Sequence, residues 1–109
     1  MIKTISLNKQ YAFQRLYRTG KSFITPYFVV YLHRIKGDHN VLGITASKKI
    51  GNAVERNRAR RLIREAYRLL EPDIPTGLEM VIVARKKAVF VKMQTVKAAL
   101  RKAVKSLCP

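Results

Sequence analysis

Acidic residues are scarce in this 109-residue chain: six Asp and Glu stand against 23 Lys and Arg, a formal net charge of +17. A surface with balanced charge is excluded, and self-repulsion on this scale points to a polyanionic partner: RNA, DNA or an anionic membrane. Cysteine occurs once, at Cys108, so an internal disulfide and a cysteine metal cluster are excluded. Histidine occurs only as His33 and His39, neither beside a carboxylate cluster, and the six acids are scattered. General acid–base work and two-metal hydrolysis both need such groups to converge, so no catalytic residue and no bound metal are assigned to the chain. No segment approaches the roughly 18 continuous apolar residues of a membrane span, and residues 1–6 lack the apolar run of a secretory signal. The expectation is a cytoplasmic protein with no membrane partner.

Hydrophobic residues make up 48% of the chain, enough for one folded domain over residues 1–109 that buries about two-thirds of its unfolded surface. Residues 6–20 read as a helix: Ser6 or Asn8 can cap it, Phe13, Leu16 and Tyr17 recur at helical spacing, and Gly20 can end it. Residues 27–35 alternate as a strand, with Phe28, Val30 and Leu32 on one face and Val29, Tyr31 and His33 on the other. A turn at 37–40 leads into a second strand at 41–46, which predicts an antiparallel hairpin; residues 21–24 can add an edge strand. Residues 52–70 form the longest helix, with Ala59, Leu62, Ile63, Ala66 and Leu70 as its apolar stripe. The Pro-containing stretch 71–77 breaks it, and the uninterrupted apolar run at 80–84 predicts a strand buried on both faces. A basic amphipathic helix closes the chain over residues 92–107. The order helix, strands, helix, strand, helix is an α+β domain built on a single sheet layer.

The chemistry concentrates in residues 47–68, which hold Lys48, Lys49, Arg56, Arg58, Arg60, Arg61, Arg64 and Arg68. On a helix advancing about 100° per residue, Arg56, Asn57, Arg60, Arg61, Arg64 and Arg68 fall within an arc of about 140°, opposite the apolar stripe. Like charges four residues apart destabilise a helix by a few tenths of a kcal/mol per pair, so intrinsic propensity does not favour this ladder. A bound polyanion reverses the penalty. The planar guanidinium suits bidentate contact with phosphate, and Asn57 can reach a base edge or a sugar hydroxyl. Solvated surface helices ordinarily mix signs, whereas this one carries only Glu55 and Glu65. Lys48, Lys49 and Gly51 precede the helix, where free N–H groups can assist a phosphate. Phe13, Tyr17 and Tyr31 can stack on unpaired bases, although periodicity alone favours packing in a core.

This segment resembles the signature of the bacterial ribonuclease P protein family, in which a Lys-Lys and Gly-Asn approach leads into an Arg-Asn-Arg helix: Lys48, Lys49, Gly51, Asn52, then Arg56-Asn57-Arg58, Arg60, Arg61 and Arg64. The early aromatic helix, the strand at 28–31, the run at 81–85 and the closing helix extend the resemblance over nearly the whole chain. It implies an α/β sandwich of ribosomal-protein type with a left-handed βαβ crossover. It also implies the accessory subunit of a ribonucleoprotein in which Mg2+-dependent RNA does the cutting and removes the 5′ leader of precursor tRNA. Lys48, Lys49, Asn52, Arg56, Asn57, Arg58, Arg60, Arg61 and Arg64 then face the catalytic RNA, with one protein copy per RNA. Phe13, Tyr17 and Tyr31 line the cleft for the single-stranded leader. Position 17 is commonly Phe in the family, so Tyr17 is a mild departure; Arg85, Lys86 and Lys87 add general RNA affinity. The competing expectation is a ribosomal or RNA-chaperone protein with no leader-specific role. A DNA-binding helix-turn-helix is disfavoured, because the residues before Asn52 read as strand.

Overall fold

The structure, a computed structural model, describes residues 3–7 and 10–108; the side chains of residues 10–13 and 19 lie outside that description. The chain forms β1 (Thr4–Ser6), α1 (Gln10–Thr19), β2 (Lys21–Ile24), β3 (Phe28–Arg34), β4 (Asn40–Thr45), α2 (Ala53–Leu70), β5 (Leu78–Ala84) and α3 (Met93–Leu107). Three short 3-10 turns, Lys48–Ile50, Glu71–Asp73 and Lys86–Phe90, connect them. The first element is therefore a strand and not a helix. Residues 4–6 pair in parallel with Asn40, Val41 and Leu42, and that pairing takes Ser6 out of the helix it was expected to cap. Asn8, the other expected cap, lies outside the described residues. At the far end of α1 the Gly20 N–H donates to the Leu16 carbonyl at 2.9 Å. A Cβ at position 20 would sit 2.8 Å from that same oxygen, so glycine lets the chain pass directly from helix to strand.

The five strands form one mixed sheet in the order β1-β4-β5-β3-β2. The expected hairpin of β3 with β4 does not form, because β5 lies between them, antiparallel to β3 and parallel to β4. Two hydrophobically patterned strands each gain more from the apolar β5 than from each other. The run at 80–84, expected to be buried on both faces, lies at the centre of the sheet, with every residue of β5 buried except the half-buried Val83.

One sheet face carries the main core. Phe28, Val30 and Leu32 of β3 and Leu78, Met80, Ile82 and Ala84 of β5 meet Ala59, Ile63, Ala66, Tyr67 and Leu70 of α2 and Val96, Leu100, Ala103 and Val104 of α3. Full burial of each large aliphatic side chain contributes about 1.5–3 kcal/mol. Leu62, expected in the α2 stripe, is only half-buried at its margin, and Tyr67 takes a place in the core. Its hydroxyl is satisfied by Thr4 Oγ1 at 2.8 Å, and Thr4 also donates to Glu71 Oε2 at 2.5 Å, which ties β1 to the end of α2. α1 covers the opposite sheet face. Arg15 reaches across to the buried Glu79 of β5 at 2.5 Å, and Leu16 is fully buried there. The result is a single α+β domain with α2 and α3 on one side of the sheet and α1 on the other. Among the described residues no helix is long and apolar enough to cross a membrane.

Candidate nucleic-acid interface

α2 is held at its start by a reciprocal cap. The Asn52 side chain accepts the Glu55 N–H at 2.9 Å, and the Glu55 carboxylate accepts the Asn52 N–H at 3.0 Å. Gly51 makes this closure feasible: its φ of +152° is one that residues with side chains rarely adopt, and a Cβ there would lie 2.5 Å from the Glu55 carboxylate. The signal, Asn followed three residues later by Glu, is present in the sequence and went unread. Asn52 thus spends its side-chain oxygen on orienting the helix. The residues immediately before it form the 3-10 turn Lys48–Ile50 rather than strand, with Lys48 and Lys49 exposed and Ile50 buried as the anchor. A three-residue turn is too short to be the first helix of a DNA-binding pair.

Along α2 the basic residues divide into two flanks. Arg56, Arg60 and Arg64 run up the side that borders β4. The two terminal nitrogens of the Arg60 guanidinium are fixed, one donating to Asn57 Oδ1 at 2.9 Å and the other to the Ala46 carbonyl at 3.3 Å. Arg56 is half-buried, and its Nε is enclosed without an acceptor. Arg64 reaches a recess where β1 meets β4, shared with Ser6, Leu7, Leu42, Gly43 and Ile44. Arg68, the last rung, is bound to Glu65, and this partnership lowers the carboxyl pKa of Glu65 and raises that of the Arg68 guanidinium. Arg58 and Arg61 stand on the other flank beside Val54 and Leu62. The nine residues expected to face RNA therefore occupy one helix and its approach, but they do not share one surface.

The open part of the second sheet face lies beside α1. Tyr17 and Tyr31 meet edge to face, ring centroids 4.9 Å apart with planes at 63°. Tyr17 is 42% exposed and Tyr31 half-buried, so neither is committed to the core. Phe13 lies on the same helix, one turn earlier, and its side chain is outside the described residues. In the sheet register Tyr31 lies beside Val81 and Val81 beside Gly43, both buried, while the next row, Val29, Val83 and Thr45, is half-buried and forms the open floor. At about 4.8 Å per strand this second row crosses roughly 10 Å, from β3 to β4, the strand that borders the arginine flank. The Arg15–Glu79 pair, which the sequence reading missed, pins α1 beside this floor.

Four of the six acids are engaged within the fold: Glu55 caps α2, Glu65 binds Arg68, Glu71 accepts from Thr4 and Glu79 pairs with Arg15. Asp73 is exposed, and Asp38 is fully exposed 3.9 Å from His39. Among the described residues no three His, Cys, Asp or Glu side chains converge as metal ligands. The arrangement can grip a polyanion and stack bases, and its described side chains offer no hydrolytic centre.

The family model described as Ribonuclease P matches residues 1–108. The chain belongs to the ribonuclease P protein family. It is 39% identical over 102 residues to the ribonuclease P protein component of Thermoanaerobacter sp. (strain X514), covering 94% of this chain and 88% of that one. Against the component of Clostridioides difficile (strain 630) the figures are 45% over 84 residues, with 76% and 74% covered. Among solved structures, the ribonuclease P protein of Thermotoga maritima superposes with a TM-score of 0.84 at 31% identity, covering 95% of this chain and 98% of that one. The Staphylococcus aureus protein gives 0.81 at 35% identity, with 93% of each chain covered. The α+β fold is thus the ribonuclease P protein fold. The chain is the protein component of a holoenzyme that cleaves tRNA precursors, a ribonucleoprotein in which the family assigns catalysis to the RNA.

Proposed function

We propose that this subunit holds the catalytic RNA with the basic surfaces of α2 and its approach, and guides the single-stranded 5′ leader of precursor tRNA through the cleft between α1 and the sheet. The observation that carries this reading is the accessible Tyr17–Tyr31 pair beside the half-buried row Val29, Val83 and Thr45, which runs in register to the strand that borders Arg60 and Arg64. Stacking on each ring is worth about 1–3 kcal/mol per base and asks little of its sequence, as a variable leader requires. Arg60, preset by Asn57 and Ala46, meets a phosphate with less ordering cost than a free side chain. One copy serves one RNA in the cytoplasm, and Mg2+ is held by the RNA, since no three His, Cys, Asp or Glu side chains converge among the protein's described residues.

The test is cleavage of a leader-bearing precursor tRNA at low magnesium by a bacterial ribonuclease P RNA, with and without this protein and with a protein-alone control. Stimulated cleavage at the 5′ junction, with nothing from protein alone, is the expected result. RNA binding without stimulation would move the chain to a ribosomal or chaperone role.

A further inference from the structure

Phe90 is 68% exposed, the most exposed aromatic ring among the described residues, and neither the cleft nor the arginine ladder uses it. It does not sit on a loose loop. It closes the 3-10 turn Lys86–Phe90, whose Ala88 and Val89 are 0% and 2% exposed and join the core that α2 and α3 share. The backbone is thus anchored beside a ring that faces water, against the usual preference of phenylalanine for burial. Arg85, Lys86, Lys87 and Lys92 surround it in sequence, all exposed, and no described carboxylate pairs with the three lysines. The turn packs against α2, whose flank away from β4 carries Val54, Arg58, Arg61 and Leu62 around a shallow groove. An exposed aromatic ring flanked in the chain by uncompensated cations matches an unpaired base and its neighbouring phosphates, and it repels a basic partner such as a second copy of this +17 chain.

We propose that Phe90 is a stacking platform for an unpaired RNA base, with Lys86, Lys87 and Lys92 taking the adjoining phosphates. It forms a second RNA contact, separate from the leader cleft and from the Arg56, Arg60 and Arg64 flank. This rests on the RNA-binding reading above but involves none of its proposed leader residues.

The chain contains no tryptophan, so Phe90→Trp creates a single fluorescent reporter. Binding is measured in the complex reconstituted with a bacterial ribonuclease P RNA and, separately, with a short oligouridylate. Phe90→Ala and Phe90→Leu should weaken affinity by about 5- to 150-fold, the range of one lost stack, while Phe90→Tyr stays within about twofold of wild type. Indole emission from the Phe90→Trp variant should be quenched on RNA addition. Wild-type affinity in Phe90→Ala, or an unquenched reporter at position 90, overturns the proposal while leaving the leader cleft intact. Failure of the wild-type protein to bind either RNA overturns both. A change in oligomeric state on Phe90→Ala with RNA affinity unaltered assigns the ring to protein contact and also overturns it.

Discussion

The two faces of the sheet are built from the same strands and have opposite fates. On one, Phe28, Val30, Leu32, Met80 and Ile82 are sealed beneath two helices with almost no exposure. On the other, a single helix of ten residues covers only part of the surface, leaving Tyr17 and Tyr31 accessible and pinning itself with the Arg15–Glu79 pair. Alternation along β3 separates these fates residue by residue, because neighbouring side chains point to opposite sides. A sheet can therefore keep stability and recognition apart by assigning them to even and odd positions of one strand.

The largest expected effect breaks the sealed face. Phe28→Ala should cost about 3–5 kcal/mol of unfolding free energy, read from urea denaturation, while the folded fraction keeps its preference for precursor over mature tRNA. Tyr17→Ala probes the open face and should do the reverse: a loss of about 1–3 kcal/mol in binding leader-bearing substrate with the catalytic RNA present, and little loss of stability. Equal losses for precursor and mature tRNA would erase the division between the faces. Arg60→Ala should weaken binding to both substrates alike and lower the slope of log affinity against log salt by about 0.7–0.9, as one phosphate contact is removed. The smallest effect concerns Tyr67, which joins the sealed face to β1. Burial raises its phenol pKa above the ordinary 10.0, so the folded state keeps a proton that the unfolded chain gives up. Its contribution to stability is complete below pH 10 and falls as pH rises toward the folded value. Subtracting the unfolding curve of Tyr67→Phe from that of wild type between about pH 9 and 11 should isolate that decline.

Local patterning made much of this legible. The 3.6-residue stripe of α2, the alternation of β3 and the unbroken apolar run of β5 are each encoded within a few neighbouring residues. The pairing of β3 with β5 is not, because choosing among partners compares segments about 50 residues apart. β1 escaped notice because three residues carry too little period, and its place depends on Asn40 and Tyr67, which are distant in sequence. In the candidate site the basic helix could be read from composition, but its division into two flanks depends on which side β4 occupies. Phe90 left only a faint trace: a lone aromatic in a basic stretch between a buried strand and the last helix.

The central strand is also the last strand to be made. Until residues 78–84 leave the ribosome, β1 with β4 and β2 with β3 are two separate ribbons, each with an open edge waiting for the same partner. Closing the sheet requires the whole of α2 to be spanned first, a long-range step of the kind that slows folding. The nascent chain thus carries its arginine helix before it has a completed sheet, and its high positive charge keeps those unjoined edges from meeting the edges of other copies.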